Sequence, residues 1–113
     1  MANTRRLRTR RPATAVLFRA LGDENRLALV TRLATGEAAS ITELTRHSRL
    51  TRQAITKHLR VLERAGMVRS VRAGRESRFE LDPVPLSEIE AYIQRVSREW
   101  DAALARLKAF VEE

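Results

Sequence analysis

The segment Thr51 to Gly66, TRQAITKHLRVLERAG, holds a dense set of side chains able to bind a polyanion. Placed on a helix at about 100° per residue with Arg52 at zero, Thr56, Arg60, Gln53 and Lys57 fall at about 40°, 80°, 100° and 140°. They make one polar face of two guanidiniums, an ammonium, an amide and a hydroxyl, with no carboxylate until Glu63. Val61, Ala54, Ala65, His58, Leu62, Ile55 and Leu59 fall between about 180° and 340°, so the other side is apolar. Arg and Lys suit guanine acceptors or phosphate, Gln suits the paired donor and acceptor of adenine, and Thr suits phosphate or a thymine methyl. That face is expected to touch nucleic acid. His58, on the apolar side, reads as a core imidazole bonded to backbone rather than as a ligand.

The elements that must position this face follow from the flanking sequence. Val16, Leu17, Ala20 and Leu21 give a short first helix ending at Gly22. Asp23 is a candidate N-cap for a second, with Leu27, Val30, Leu33 and Ala34 on one side and a stop near Gly36. SITE, Ser40 to Glu43, is a capping-box sequence that opens a third helix through about His47. With Thr51 as the next N-cap and Gly66 as the C-terminal glycine, helices three and four form a helix-turn-helix. Its turn lacks glycine, so Ser48 and Arg49 must supply the bend. Met67 to Asp82 reads as a β-hairpin broken at AGRE and carries Arg69, Arg72, Arg75 and Arg78. After DPVP one long helix remains. Its apolar positions Leu86, Ile89, Ile93, Val96, Trp100, Ala103, Leu107 and Phe110 alternate spacings of three and four, a heptad seam widened by Leu104 and Val111. One edge of that stripe can face the protein's own core while the other meets a second copy. The fold class is therefore mainly α with a small β-hairpin.

Charge divides unevenly along this plan. Residues 46–78 carry 10 basic and 2 acidic side chains, a net +8, whereas residues 79–113 carry 4 and 8, a net −4. Arginine outnumbers lysine 20 to 2, which favours forked contacts to phosphate and guanine. Residues 1–12 form a basic arm with five arginines, no acid and little to pack, and are expected to be disordered. The arm has two readings, an arginine arm that enters a minor groove beside the bound site or an untethered tail that adds only nonspecific attraction. On the favoured tail reading, deleting residues 1–11 weakens binding alike on all DNA sequences. The three expected parts are the arm at 1–12, a DNA-binding core at 13–84 and a dimerisation helix at 85–113. With no cysteine, disulfides, thiolate metal sites and Cys nucleophiles are excluded together. No Gly-rich phosphate loop or paired nucleophile and base is present, so no enzyme and no cofactor is expected. No run is apolar enough to span a membrane, and a soluble, cytoplasmic protein is expected.

LFRALGDENRLALVTRLATGE, SITELTRHSRLTRQAITKHLRVLERAGMV and RAGRESRFELDP together resemble the ArsR family of winged helix-turn-helix transcriptional regulators, from about Val16 to the C-terminus. The middle segment, with Arg-Gln-Ala-Ile-Thr-Lys-His-Leu, is similar to the family's recognition helix. The resemblance implies about five helices plus a wing, and a homodimeric repressor whose recognition helices enter successive major grooves of a pseudo-palindromic operator. Arg52, Gln53, Thr56 and Lys57 would take the base-reading and phosphate-contacting positions, Thr51 would be both cap and phosphate contact, and Arg72 and Arg75 would reach the backbone or minor groove from the wing tip. Arg60 joins the DNA-binding set from its place on the same polar face. Leu17, Ile89, Ile93, Val96, Trp100, Ala103, Leu107 and Phe110 would form the dimer interface. Metal-sensing members use cysteines near the third helix or histidines and carboxylates on the last. This chain has no cysteine, and its histidines, His47 and His58, lie outside the last helix, so no metal is expected and the effector is unknown.

Two other functions compete with double-stranded DNA and a second copy of the chain as partners. A winged helix with a basic arm can bind structured RNA, but three of the five aromatic residues, Tyr92, Trp100 and Phe110, sit on the acidic last helix, away from the basic face. The heptad seam could instead hold a different protein, making the chain a scaffold with only nonspecific DNA affinity.

Overall fold

The computed structural model describes residues 14–112; the expected arm, residues 1–12, lies outside them. Helix α1 covers residues 14–21 and α2 covers Glu24–Thr35. Between them Asp23 adopts extended backbone and its carboxylate accepts from the amides of Asn25 at 2.8 Å and Arg26 at 3.0 Å. The N-cap expected there is the one used. Helix α2 buries Leu29, Val30 and Leu33. Leu27 and Ala34, expected on its core side, are exposed instead. The buried residues span only about 100° of the helix circumference, and Leu27 and Ala34 fall beyond its edge.

Helix α3, Ile41–Arg46, opens with the complete capping box: the amide of Glu43 donates to Ser40 Oγ at 3.1 Å, and the Glu43 carboxylate reaches back to the Ser40 amide at 3.5 Å. Residues 47–51 then turn the chain into α4, Arg52–Arg64. No non-glycine residue among those described takes a positive φ, so this bend is made without left-handed backbone. Ser48 supplies it: its amide donates to the Thr45 carbonyl at 3.1 Å and its Oγ accepts from the Leu50 amide at 3.0 Å. At the far end of α4, Gly66 has φ +80° and donates to the Glu63 carbonyl, while Met67 donates to that of Leu62, both at 2.9 Å. This is a Schellman ending, and the left-handed position is the reason for glycine there.

Strands β1, Val68–Ala73, and β2, Glu76–Leu81, pair antiparallel with Val68 opposite Leu81 and Ala73 opposite Glu76. Gly74, with φ +68°, begins the two-residue turn. Ala39 and Phe79 exchange two backbone hydrogen bonds, of 3.0 and 2.8 Å, so the wing is fastened to the segment preceding α3. Helix α5, Pro83–Glu112, starts two residues before the expected boundary at 85. Prolines 83 and 85 fall in its first turn, where amides have no intrahelical partner, and Asp82 caps it by accepting from the Val84 amide at 3.0 Å.

The architecture is a winged helix-turn-helix, five helices and a hairpin. Its core sits between α1, α2, α3, α4 and β1. Ile55, Leu59 and Leu62 from α4 are essentially sealed, beside Leu29 and Leu33 of α2, Leu44 of α3, Met67 and Val68. Two residues expected at an interface between copies belong to this core instead: Leu17 is 3% exposed and Ile89 8%. Leu17 shares the inward flank of α1 with Ala20, and Ile89, with half-buried Leu86 beside it, docks the long helix onto its own protomer. The α1 side chain turned toward α5 is Phe18, whose ring meets Tyr92 edge to face with centroids 5.5 Å apart.

Candidate nucleic-acid interface

The faces of α4 separate as the helical wheel requires. Ile55, Leu59 and Leu62 are buried, whereas Arg52, Gln53, Lys57 and Arg60 are exposed and Thr56 is half-buried. Thr51 Oγ1 accepts from the Ala54 amide at 3.1 Å, which caps the helix and leaves the hydroxyl proton free to donate outward. Thr56 Oγ1 donates to the Arg52 carbonyl at 2.7 Å, so outward it offers a methyl group and an acceptor. Thr51, Arg52, Gln53, Thr56 and Lys57 border one open, shallow concavity. Arg52 does not project freely. Its Nη1 donates to Thr42 Oγ1 on α3 at 2.7 Å, which orients the guanidinium before any ligand arrives. Thr42 is thus a member of the site that sequence reasoning missed. It lies ten residues away on another helix, and no local pattern announces the contact.

The four wing arginines divide into two pairs. Arg69 Nε binds Glu80 across the strands at 2.8 Å, and that hydrogen bond raises the guanidinium pKa further. Arg78 reaches Glu76 at 3.3 Å and Glu43 on α3 at 3.6 Å. Arg72 and Arg75, nearest the turn, are exposed and have no ion-pair partner among the described residues. The same is true of Arg52, Lys57 and Arg60. Basic residues toward the base of the wing therefore hold the protein together, and those on its tip and on α4 remain available.

Glu43 joins the two halves of this surface. The Ser40 amide, with its hydroxyl and Arg78 adding, holds its carboxyl below the ordinary value, so it stays charged while bridging the capping box to the wing. The remaining titratable cluster lies elsewhere. His58 Nδ1 is 3.9 Å from the Asp23 carboxylate rather than bonded to backbone, because α4 packs that side against the α2 N-terminus. Asp23 is itself held below the ordinary carboxylate value, chiefly by the Arg26 amide. Among the described residues no three His, Cys, Asp or Glu side chains come together as a metal would require, and no helix is long and apolar enough to cross a membrane.

Beyond Tyr92 the long helix carries its seam into solvent. Ile93, Trp100, Leu107 and Phe110 are all at least half exposed, Trp100 at 64% and Phe110 at 77%. Ala103 is exposed as well, and Val96 is half-buried. Six of the eight expected interface residues are thus presented on one helix, and Leu17 and Ile89 are not.

Known proteins share this fold. The model of a helix-turn-helix domain family matches residues 21–71. The HTH-type transcriptional regulator Rv2034 of Mycobacterium tuberculosis is 37% identical over 87 residues, covering 77% of this chain and 78% of that protein. The structure of an ArsR-like transcriptional regulator from Rhodococcus sp. RHA1 superposes with a TM-score of 0.77 at 34% identity, over 90% of this chain and 95% of that one. The homodimeric winged helix-turn-helix DNA-binding domain Mb0332 of Mycobacterium bovis shares the fold, with a TM-score of 0.67 at 20% identity over 83% of this chain and 86% of that one.

Proposed function

The chain belongs to the ArsR family of winged helix-turn-helix transcriptional regulators, and from that premise we propose that it is a homodimeric repressor reading a pseudo-palindromic operator. The observation that carries this reading is the sorting of cations. Arg69 and Arg78 are paired within the protein, while the outer face of α4 and the wing tip keep theirs unpaired among the described residues. In the proposed complex Gln53, Thr56 and Lys57 meet base edges in the major groove. Arg52, oriented by Thr42, reads guanine or clamps a phosphate, and Thr51 and Arg60 contact the backbone. Arg72 and Arg75 reach an adjacent backbone or minor groove. The exposed α5 seam supplies the self-association, because its apolar side chains have no cover on their own protomer; the Mb0332 domain, which shares the fold, is homodimeric. Repression follows if the occupied operator overlaps a promoter.

The test is selection of bound duplexes from a random pool at near-physiological salt, followed by titration of the winner against an Arg52→Ala, Gln53→Ala variant. The expected result is an inverted repeat with half-sites about one helical turn apart, whose advantage over random DNA disappears in the variant. Absence of any enriched sequence would reduce the basic surface to an electrostatic footprint.

A further inference from the structure

A groove between α1 and the C-terminal half of α4 belongs neither to the reading face nor to the α5 seam. Val16 and Ala20 form one side of its floor, Val61 and Ala65 the other, and its volume is about 300 Å³, at the small end of the range for small-molecule sites. Three guanidiniums rim it, those of Arg19, Arg26 and Arg64. Arg26 is already engaged: its Nε donates to the Ala20 carbonyl at 2.6 Å and its Nη1 lies 3.9 Å from the Asp23 carboxylate. It stiffens the end of α1 with its charge balanced. Arg19 and Arg64 have no ion-pair partner among the described residues.

We propose that this groove binds a small organic anion with an apolar body. Its carboxylate accepts from Arg19 and Arg64, and its hydrocarbon frame lies on Val16 and Val61. An apolar floor edged by two cations without ion-pair partners among the described residues suits such a ligand better than a neutral or cationic one, because the carboxylate gains charge-assisted hydrogen bonds while its body covers exposed methyl groups. The chain's own N-terminal segment is a poor occupant, since residues 1–13 contain five arginines and no acid. A DNA phosphate at Arg64 is the competing use. That residue sits about 18 Å along α4 from Arg52, at the end remote from the wider basic face.

Position makes the ligand a candidate effector. On α1, Phe18 points about 100° away from Arg19 and about 160° from Val16, and it leans on Tyr92 of α5. The groove therefore stays open on the flank of α1 away from α5. A ligand there touches the reading helix on one side and, on the other, the helix that braces the seam. Binding itself is independent of the proposed repressor function; only its coupling to DNA rests on that reading.

The experiment is calorimetric titration of the full chain, without DNA, with 4-phenylbutyrate and with its uncharged analogue 4-phenylbutanol, repeated on an Arg19→Gln, Arg64→Gln variant. Both substituted residues are exposed, and circular dichroism checks that the variant is folded. Expected are saturable binding of one carboxylate per chain and at least about tenfold weaker binding of the alcohol and of the carboxylate by the variant. Failure of 4-phenylbutyrate to saturate overturns the inference, as does equal affinity for the alcohol. Unchanged affinity in the variant does so too, by moving the ligand elsewhere, and a variant that loses only DNA affinity assigns these arginines to phosphate.

Discussion

Helices α4 and α5 are both amphipathic, yet they leave opposite chemistries uncovered. Helix α4 seals Ile55, Leu59 and Leu62 and presents cations outward, whereas 30-residue α5 buries only Ile89 and presents Trp100, Leu104, Leu107 and Phe110. Unpaired cations in water cost little, so the α4 face is stable as it stands and its bias toward one sign points to an anionic partner. Exposed aromatic and leucine side chains at heptad spacing are disfavoured in water, and they point to an apolar partner, in the proposed complex a second copy of the chain.

Trp100→Glu with Leu107→Glu should break the comparison most severely. Two anchors of at least about 2 kcal/mol each would be lost, which weakens self-association by roughly a thousandfold or more. Sedimentation equilibrium should show monomers whose helix content persists, because neither residue packs on the protomer core. A variant that remains fully dimeric would remove α5 from the interface.

Two leucines sharpen the contrast at equal chemistry. Leu62 is completely buried and Leu104 is 54% exposed. Leu62→Ala should lower unfolding free energy by about 2–5 kcal/mol at every protein concentration. Leu104→Ala should act mainly through association, so its effect on the urea midpoint should grow with protein concentration. Equal, concentration-independent losses would mean that α5 packs on its own protomer well beyond Ile89.

Much of this contrast is legible in the sequence, and what is not has a common cause. The Ser40–Glu43 box, the Gly66 ending and the two faces of α4 are local patterns within a few residues, and the structure uses each. Helical phase, by contrast, is decided by what lies opposite. Leu17 and Phe18 are adjacent and both apolar, and only the placement of α2 and α5 sends Leu17 inward and Phe18 onto Tyr92. The same holds for Leu27 on α2, for His58 facing Asp23, and for the Arg52–Thr42 and Arg78–Glu43 contacts. Each joins elements whose mutual approach no periodicity encodes.

On the α4 side a finer division should appear between readers and anchors. Gln53→Ala and Lys57→Ala should each cost about 1–3 kcal/mol on the selected operator and less on random duplex. Arg72→Ala should weaken both alike and reduce the logarithmic salt dependence by about one unit per wing. If Arg72→Ala were the more selective change, the wing would be reading sequence, and the availability of its arginine would carry more than attraction.

The smallest expected effect concerns how the core beneath both helices responds to acid. Asp23 is held below the ordinary carboxylate value by the Arg26 amide first and the Asn25 amide after it, with Arg26 and His58 charges contributing, and Glu43 is held low by Ser40. A carboxyl whose folded pKa is depressed binds fewer protons folded than unfolded across that interval, so it stabilises the fold at higher pH. That contribution is fully present above the unfolded value, near pH ~4, and fades as pH falls through the lower folded value. Urea midpoints of the wild type should therefore decline on acidification below about pH 4, and more shallowly in Asp23→Asn, where the cap survives without a titrating group. Parallel curves for the two proteins would place the acid sensitivity elsewhere. Because Asp23 caps α2 and faces His58 of α4, an altered slope in Asp23→Asn assigns that acid sensitivity to the α2–α4 contact.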